Sequence, residues 1–258
     1  MRPLCQRLQH RGFNGDGRTD RASLQIVTRQ VRLDKSLPVR CVWTNHYSSS
    51  VTTCIVSICK YTIFVAVMKH LLIADSHDSF VYNLVELLRQ LDECTFEIHY
   101  TEQITPAMVA RCHGMLLSPG PGVPTEQTYL MNLIDSYHTR LPMLGVCLGH
   151  QALAAYCGAR LEQLRSPLHG HTDQLIIEHH DELLRDIPAG SHIGRYHSWV
   201  VQPDSLPDTL EVTAHARSDG SIMALRHRSL PLWGVQFHPE SYISDHGRRY
   251  LHNFIAQL

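Results

Sequence analysis

Three short stretches carry residue types that do chemistry, and each stands where an apolar run ends. Gly145-Val146-Cys147-Leu148-Gly149-His150-Gln151 follows the run at 141–144 and opens another at 152–156. That order reads as strand, sharp turn, helix, with a thiol at the turn. Gly-x-Cys-x-Gly has the logic of a nucleophile elbow. The glycines permit a strained turn and close approach of neighbouring segments. The thiol then sits at the positive end of a helix, where thiolate is favoured. A buried structural cysteine between two packing glycines would fit the same spacing.

Phe237-His238-Pro239-Glu240-Ser241 follows the apolar run beginning at Leu232. A cysteine nucleophile needs a base, and an imidazole suits that near neutral pH. The base needs an acceptor to orient it, and Glu240 lies two residues on with a proline between. By itself this could be an ordinary surface turn. Ser118-Pro119-Gly120-Pro121-Gly122 follows the run at 115–117. Glycines there leave backbone N–H groups unobstructed, the raw material of an oxyanion hole, although a plain strand-to-helix loop looks the same.

The surrounding pattern is regular from Met68 onward. Strands are expected at 70–74, 95–100, 115–117 and 143–147, alternating with helices after Asp78 or Ser79, from Pro106 to about Cys112, over 124–138 and after Cys147. Phe80, Leu84, Leu87, Leu88 and Leu91 would give the first helix its apolar face. Strands are further expected at 174–178, 192–196, 210–216, 222–226 and 232–237, with a closing helix at 245–258 that turns Tyr250, Leu251, Phe254 and Ile255 inward. Alternation of this kind implies an α/β fold, with a mostly parallel central sheet flanked by helices and an added antiparallel portion.

Composition narrows the class. Of 258 residues 43% are hydrophobic and 18% charged, and the net charge is -1, which describes a globular chain with no electrostatic pull toward nucleic acid. Eight cysteines without a CxxC pair do not form a disulfide framework, so a reducing cytoplasm is expected. Residues 1–67 read differently: arginines are frequent, and no period persists. Asn14-Gly15-Asp16-Gly17 lacks the carboxylates a calcium loop needs. The apolar stretch at 51–67 is broken by Lys60 and short for a membrane span, and Asp16, Asp20 and Asp34 argue against a transit peptide. The expectation is an N-terminal extension outside the core, with Met68 as a natural start and 68–258 as the functional domain.

From Met68 to Leu258 the chain resembles the class I glutamine amidotransferases, within them most closely the small subunits of anthranilate synthase and aminodeoxychorismate synthase. The resemblance rests on Asp78-Ser79-Phe80 with Asn83, on 118–122, on 145–151, on Arg195-Tyr196-His197-Ser198 and on 237–241. It implies a flavodoxin-like α/β domain that hydrolyses L-glutamine. Cys147, His238 and Glu240 would be catalytic, Gly120 and Leu148 would form the oxyanion hole, and Gly120, Pro121, Gly122, Gln151, Ser198 and Trp199 would bind glutamine. It also implies ammonia delivery to a chorismate-binding synthase chain, with no cofactor or metal on the glutaminase side and Mg2+ on the partner. Three positions depart from the family pattern: Trp199 replaces a usual leucine, His171 a lysine and Ser76 an asparagine. Other readings are the glutaminase part of a GMP synthase or carbamoyl-phosphate synthetase, a stand-alone γ-glutamyl hydrolase, or a catalytically silent regulatory chain on this fold. His179-His180-Asp181-Glu182 reads as a solvated charged turn, because adjacent residues point apart and seldom share one ion.

Overall fold

The computed structural model describes residues 54–58, 61–65 and 68–258. The readings made for 1–53, including the loop at 14–17, lie outside the described residues. Two strands, β1 (Cys54–Ile58) and β2 (Tyr61–Val65), pair antiparallel as a sheet of their own, so the described residues of the apolar stretch at 51–67 are strand rather than helix. Among the described residues no helix is long and apolar enough to cross a membrane.

The core is a nine-stranded sheet. Four strands run parallel to one another: β3 (Lys69–Asp75) pairs with β4 (Cys94–Tyr100) and β5 (Gly114–Leu117), and β5 pairs with β6 (Met143–Val146). β13 (Leu232–Val235) pairs parallel with β6 and begins the antiparallel half. That half continues through β12 (Ile222–His227), β11 (Leu210–Ala216), β8 (His171–Ile177) and β9 (His192–Arg195). A separate antiparallel pair joins β7 (Leu161–Gln163) to β10 (Trp199–Val201). Helices α1 (Val81–Arg89), α2 (Pro106–Val109), α3 (Thr128–Tyr137), α4 (Leu148–Tyr156) and α5 (Gly247–Ile255) complete the set.

The local chemistry explains most boundaries, including those that differ from expectation. β5, β6 and residues 71–74 of β3 are unbroken apolar runs because both faces are covered, as parallel sheets require. α1 starts at Val81 without a side-chain cap; Asp78 instead accepts the Phe80 N–H through Oδ2 at 3.1 Å, one step before the helix. Phe80 is therefore turned out, 48% exposed, and the buried face is Val81, Leu84, Val85 and Leu88. The helix expected over 124–138 is broken at Gln127, whose ψ of 72° is not helical and whose side-chain amide donates to Pro121 O at 3.2 Å. Pro124 starts a single 3-10 turn before that break. α2 stops at Val109 rather than near Cys112, with Thr105 capping it. β13 ends at Val235, which leaves Gln236 and Phe237 outside the ladder.

Tyr250, Leu251, Phe254 and Ile255 of α5 are buried as their spacing requires, and the Phe254 ring meets Trp233 edge-on at 6.1 Å. Phe254 is 1% exposed, so truncation leaves a cavity that a rigid sheet cannot fill. Phe254→Ala should cost about 3–5 kcal/mol in urea unfolding. A loss below about 1 kcal/mol would mean that α5 is not an integral part of the core.

Candidate active site

The C-terminal ends of β3, β5, β6 and β13 lie side by side, and the segments leaving them carry Ser76, Gly120, Cys147 and His238. This is where open α/β sheets place their ligand crevices. Cys147 follows β6 and precedes α4 with φ 51° and ψ -101°, a strained conformation for a residue with a Cβ. Backbone packing enforces it. A Cβ on Gly145 would lie 2.3 Å from the Gly149 carbonyl carbon, and one on Gly149 would lie 2.4 Å from Leu117 O. Neither glycine has room to become alanine. The elbow is pinned by Cys147 N–H donating to Val235 O at 2.8 Å.

His238 is 5% exposed, and its loop is tied down by its N–H to Gly194 O (3.0 Å) and by Ser244 Oγ to its carbonyl (2.6 Å). Its Nδ1 donates to Glu240 Oε1 at 2.6 Å, while its Nε2 is buried without a hydrogen-bond partner at normal distance. Burial works to lower the His238 pKa. The charge of Cys147, and next that of Glu240, outweigh it and raise the imidazole well above its ordinary value. The charged imidazole is thus favoured at this position. The Tyr196 ring meets the imidazole edge-on at 5.2 Å, and its hydroxyl shares a hydrogen bond with Ser241 Oγ at 3.0 Å.

The loop after β5 closes the opposite side. A Cβ on Gly120 would fall 2.7 Å from Leu148 Cδ2 and 2.8 Å from Ser76 Cβ, so Gly120 and Leu148 are in direct contact. The Leu148 N–H, in the first turn of α4, has no partner within that helix. Ser118 steadies the loop by accepting the Ser76 N–H at 2.9 Å and donating to Pro119 O at 2.6 Å. Pro121 and Gly122 stand on the exposed part of the same loop, Gly122 with φ 78°.

Gln151 is 3% exposed, and its Nε2 donates to Trp199 O (2.8 Å) and Gln236 Oε1 (3.0 Å). Ser198 sits beside it and accepts the Leu164 N–H through its carbonyl. Sequence reasoning passes over Gln236, whose Nε2 donates to Cys147 Sγ at 3.6 Å. A signal for it exists: a glutamine closing an apolar strand, and it is fully buried. Sequence reasoning also misses the ion cluster below, in which fully buried Arg195 binds Asp173 at 2.8 Å and Asp219 at 2.9 Å.

Metal-ligating residues gather elsewhere. His70, Glu97 and Cys112 bring ligand atoms within 4.8 Å of one another near the outer edge of the sheet, where Arg111 already engages both Glu97 oxygens. His179 and His180 are exposed on a charged turn, and they border a depression lined by mixed charges, among them Asp181, Glu182, Glu211 and Arg226. No nucleophile lines it.

Comparison with known proteins bears out the sequence resemblance. The family profile for glutamine amidotransferase class-I matches residues 72–258. Anthranilate synthase component 2 of Azospirillum brasilense is 42% identical over 188 residues, covering 72% of this chain and 94% of that protein. Aminodeoxychorismate synthase component 2 of Serratia marcescens is 40% identical over 190 residues, covering 72% and 98%. A crystal structure from Thermoplasma acidophilum, described as part of a GMP synthase, shares the fold with TM-score 0.65 at 23% identity, covering 73% of this chain and 92% of that one. The chain belongs to the class I glutamine amidotransferases.

Two buried histidines next to this site fix its acid tolerance. Burial lowers His150 to about 4, and burial with the Arg195 charge lowers His197 to about 3. Both are therefore neutral when folded but protonate near 6.5 when unfolded. Their contribution is complete above pH 6.5 and is lost as pH falls through the folded values. Unfolding free energies from urea titrations should drop steadily from pH 6.5 to 4, by several kcal/mol in all at about 1.4 kcal/mol per tenfold change in proton affinity. His150→Leu should flatten part of that slope. An unchanged slope in the variant would show that His150 does not carry it.

Proposed function

We propose that this chain hydrolyses L-glutamine to glutamate and ammonia, and that the ammonia passes to a chorismate-aminating synthase. The observation that carries the reading is the 2.6 Å bond from His238 to Glu240 beside the elbow that presents Cys147. Sγ of Cys147 attacks the side-chain amide carbon of glutamine, and the oxyanion that forms accepts hydrogen bonds from the N–H groups of Leu148 and Gly120. His238, charged after taking the thiol proton, returns it to the amide nitrogen, which leaves as ammonia and gives a γ-glutamyl thioester. His238 then takes a proton from water as it adds to the thioester carbonyl, and collapse releases glutamate and the thiol. Glu240 holds the imidazole with Nε2 toward the sulfur.

Glutamine itself would lie between the loop at 120–122 and the segment Ser198–Trp199, with Gln151 at its base. The names of the relatives support anthranilate or aminodeoxychorismate synthase as the partner, and Mg2+ would belong to that partner chain. The glutaminase chemistry needs no cofactor. A catalytic thiol calls for a reducing compartment such as the cytoplasm. Residues 68–258 would form the working domain, since the family profile begins at 72.

Glutamate release from L-glutamine, measured alone and with a synthase chain plus chorismate, tests the reading. Cys147→Ala should remove at least about 1000-fold of the rate, as loss of a covalent nucleophile does. Glu240→Gln, which keeps the shape and loses the charge, should cost about 10- to 100-fold. Wild-type activity at the level of Cys147→Ala with every synthase would end the proposal. A chain of residues 68–258 should match the full chain within about twofold, a comparison read from the same assay.

A further inference from the structure

A line of buried hydrogen bonds runs from the ion cluster to the nucleophile, and every proton in it is fixed. Arg195 has donors only, so its Nε–H must donate to His197 Nε2 at 3.2 Å. His197 is neutral and therefore carries its proton on Nδ1, which donates to Trp199 O at 3.0 Å. That carbonyl can only accept, so Gln151 must present its amino group to it, at 2.8 Å. The second N–H of Gln151 donates to Gln236 Oε1 at 3.0 Å. Gln236 then has a single orientation left: its Nε2 faces Cys147 Sγ at 3.6 Å. Arg195 and Gln236 are fully buried, and His197 and Gln151 are at most 5% exposed, so water has little access to these bonds.

We propose that Gln236 is a positioning residue for the nucleophile: it donates a hydrogen bond to the Cys147 thiolate and is held in the donating orientation by Gln151, Trp199 O, His197 and Arg195. This deepens the glutaminase reading and rests on it for its effect on turnover. A neutral thiol gains little from an N–H donor, whereas a thiolate gains the strength of a bond to a charged group. The ionisable groups around the sulfur are His238 and Glu240 from the loop after β13, with Asp78 beyond them, together with the buried His150 on α4 and His197 and Arg195 at the far end of the line. Gln236 is the neutral side-chain donor that reaches the sulfur.

Two substitutions separate positioning from structure. Gln236→Glu keeps an oxygen for Gln151 and removes the donor to sulfur, while Gln236→Met removes both. The first readout is the pH dependence of Cys147 alkylation by iodoacetamide, followed by mass spectrometry in the full chain. The described cysteines Cys94, Cys112 and Cys157 are pushed by burial to about 11, 12 and 11, so they react slowly below pH 9. Both variants should move the alkylation midpoint upward by about one pH unit, and kcat should fall about 10- to 100-fold with KM for glutamine within about threefold. A folded variant with the wild-type alkylation profile overturns the proposal. So does a rise in KM with kcat unchanged, which would make Gln236 a glutamine contact instead. If neither variant folds, wild type decides: the Gln236 side-chain amide resonance must shift when Cys147 is alkylated, and an unmoved resonance rejects the bond. Alkylation needs no glutamine, so failure of the functional reading would leave this test intact.

Discussion

Backbone pressed against backbone at the start of α4 is the constraint on which the rest of the structure depends. Gly145 meets Gly149, and Gly149 meets Leu117 O, at distances that admit no side chain. With the helix that close to β5 and β6, the single residue between strand and helix has to reverse the chain, and Cys147 takes a positive φ to do so. Such a conformation costs on the order of 1–3 kcal/mol and persists only where its surroundings over-determine it. Here they do: seven consecutive residues of α4, Leu148 to Ala154, are buried. A helix buried on every side cannot shift to relieve the turn.

Electrostatics then follows from the same burial. The thiol, His238 and Glu240 occupy a region with little water, where opposite charges strengthen one another and unpaired ones are costly. His238 is raised despite its burial because two anionic partners face it, whereas His150 and His197, equally buried, face none and are lowered. Three imidazoles in one neighbourhood are therefore pushed apart, His238 toward the charged form and His150 and His197 toward the neutral one.

Much of this is legible in the chain. The parallel strands, their order along the sequence and the three loops that meet at the site follow from apolar runs ending in glycine, histidine or cysteine. What is not legible depends on contacts distant in sequence. β7 and β10 are three residues each, too short for any period, and exist because they pair across 36 or more positions. Phe80 fits a helical spacing but lies just before the first turn, so its ring is left outward. Gln236 reads as a polar interruption of a strand until its two partners, Gln151 and Cys147, are brought to it from 85 and 89 residues away.

Trp199 shows why a departure from a family pattern need not disturb a site. Its indole is larger than the leucine usual at that place, yet the atom on which its neighbours converge is the main-chain oxygen, which accepts from both His197 and Gln151. A backbone carbonyl is indifferent to the side chain it carries, provided β10 holds its place, and β10 is held by its ladder to β7. The position therefore constrains φ and ψ more tightly than it constrains residue type. The reverse holds at Gly120 and Gly149, where the backbone could tolerate many residues and the space tolerates none. Substitution at the first kind of position changes a side chain alone, and at the second it displaces the backbone around the elbow.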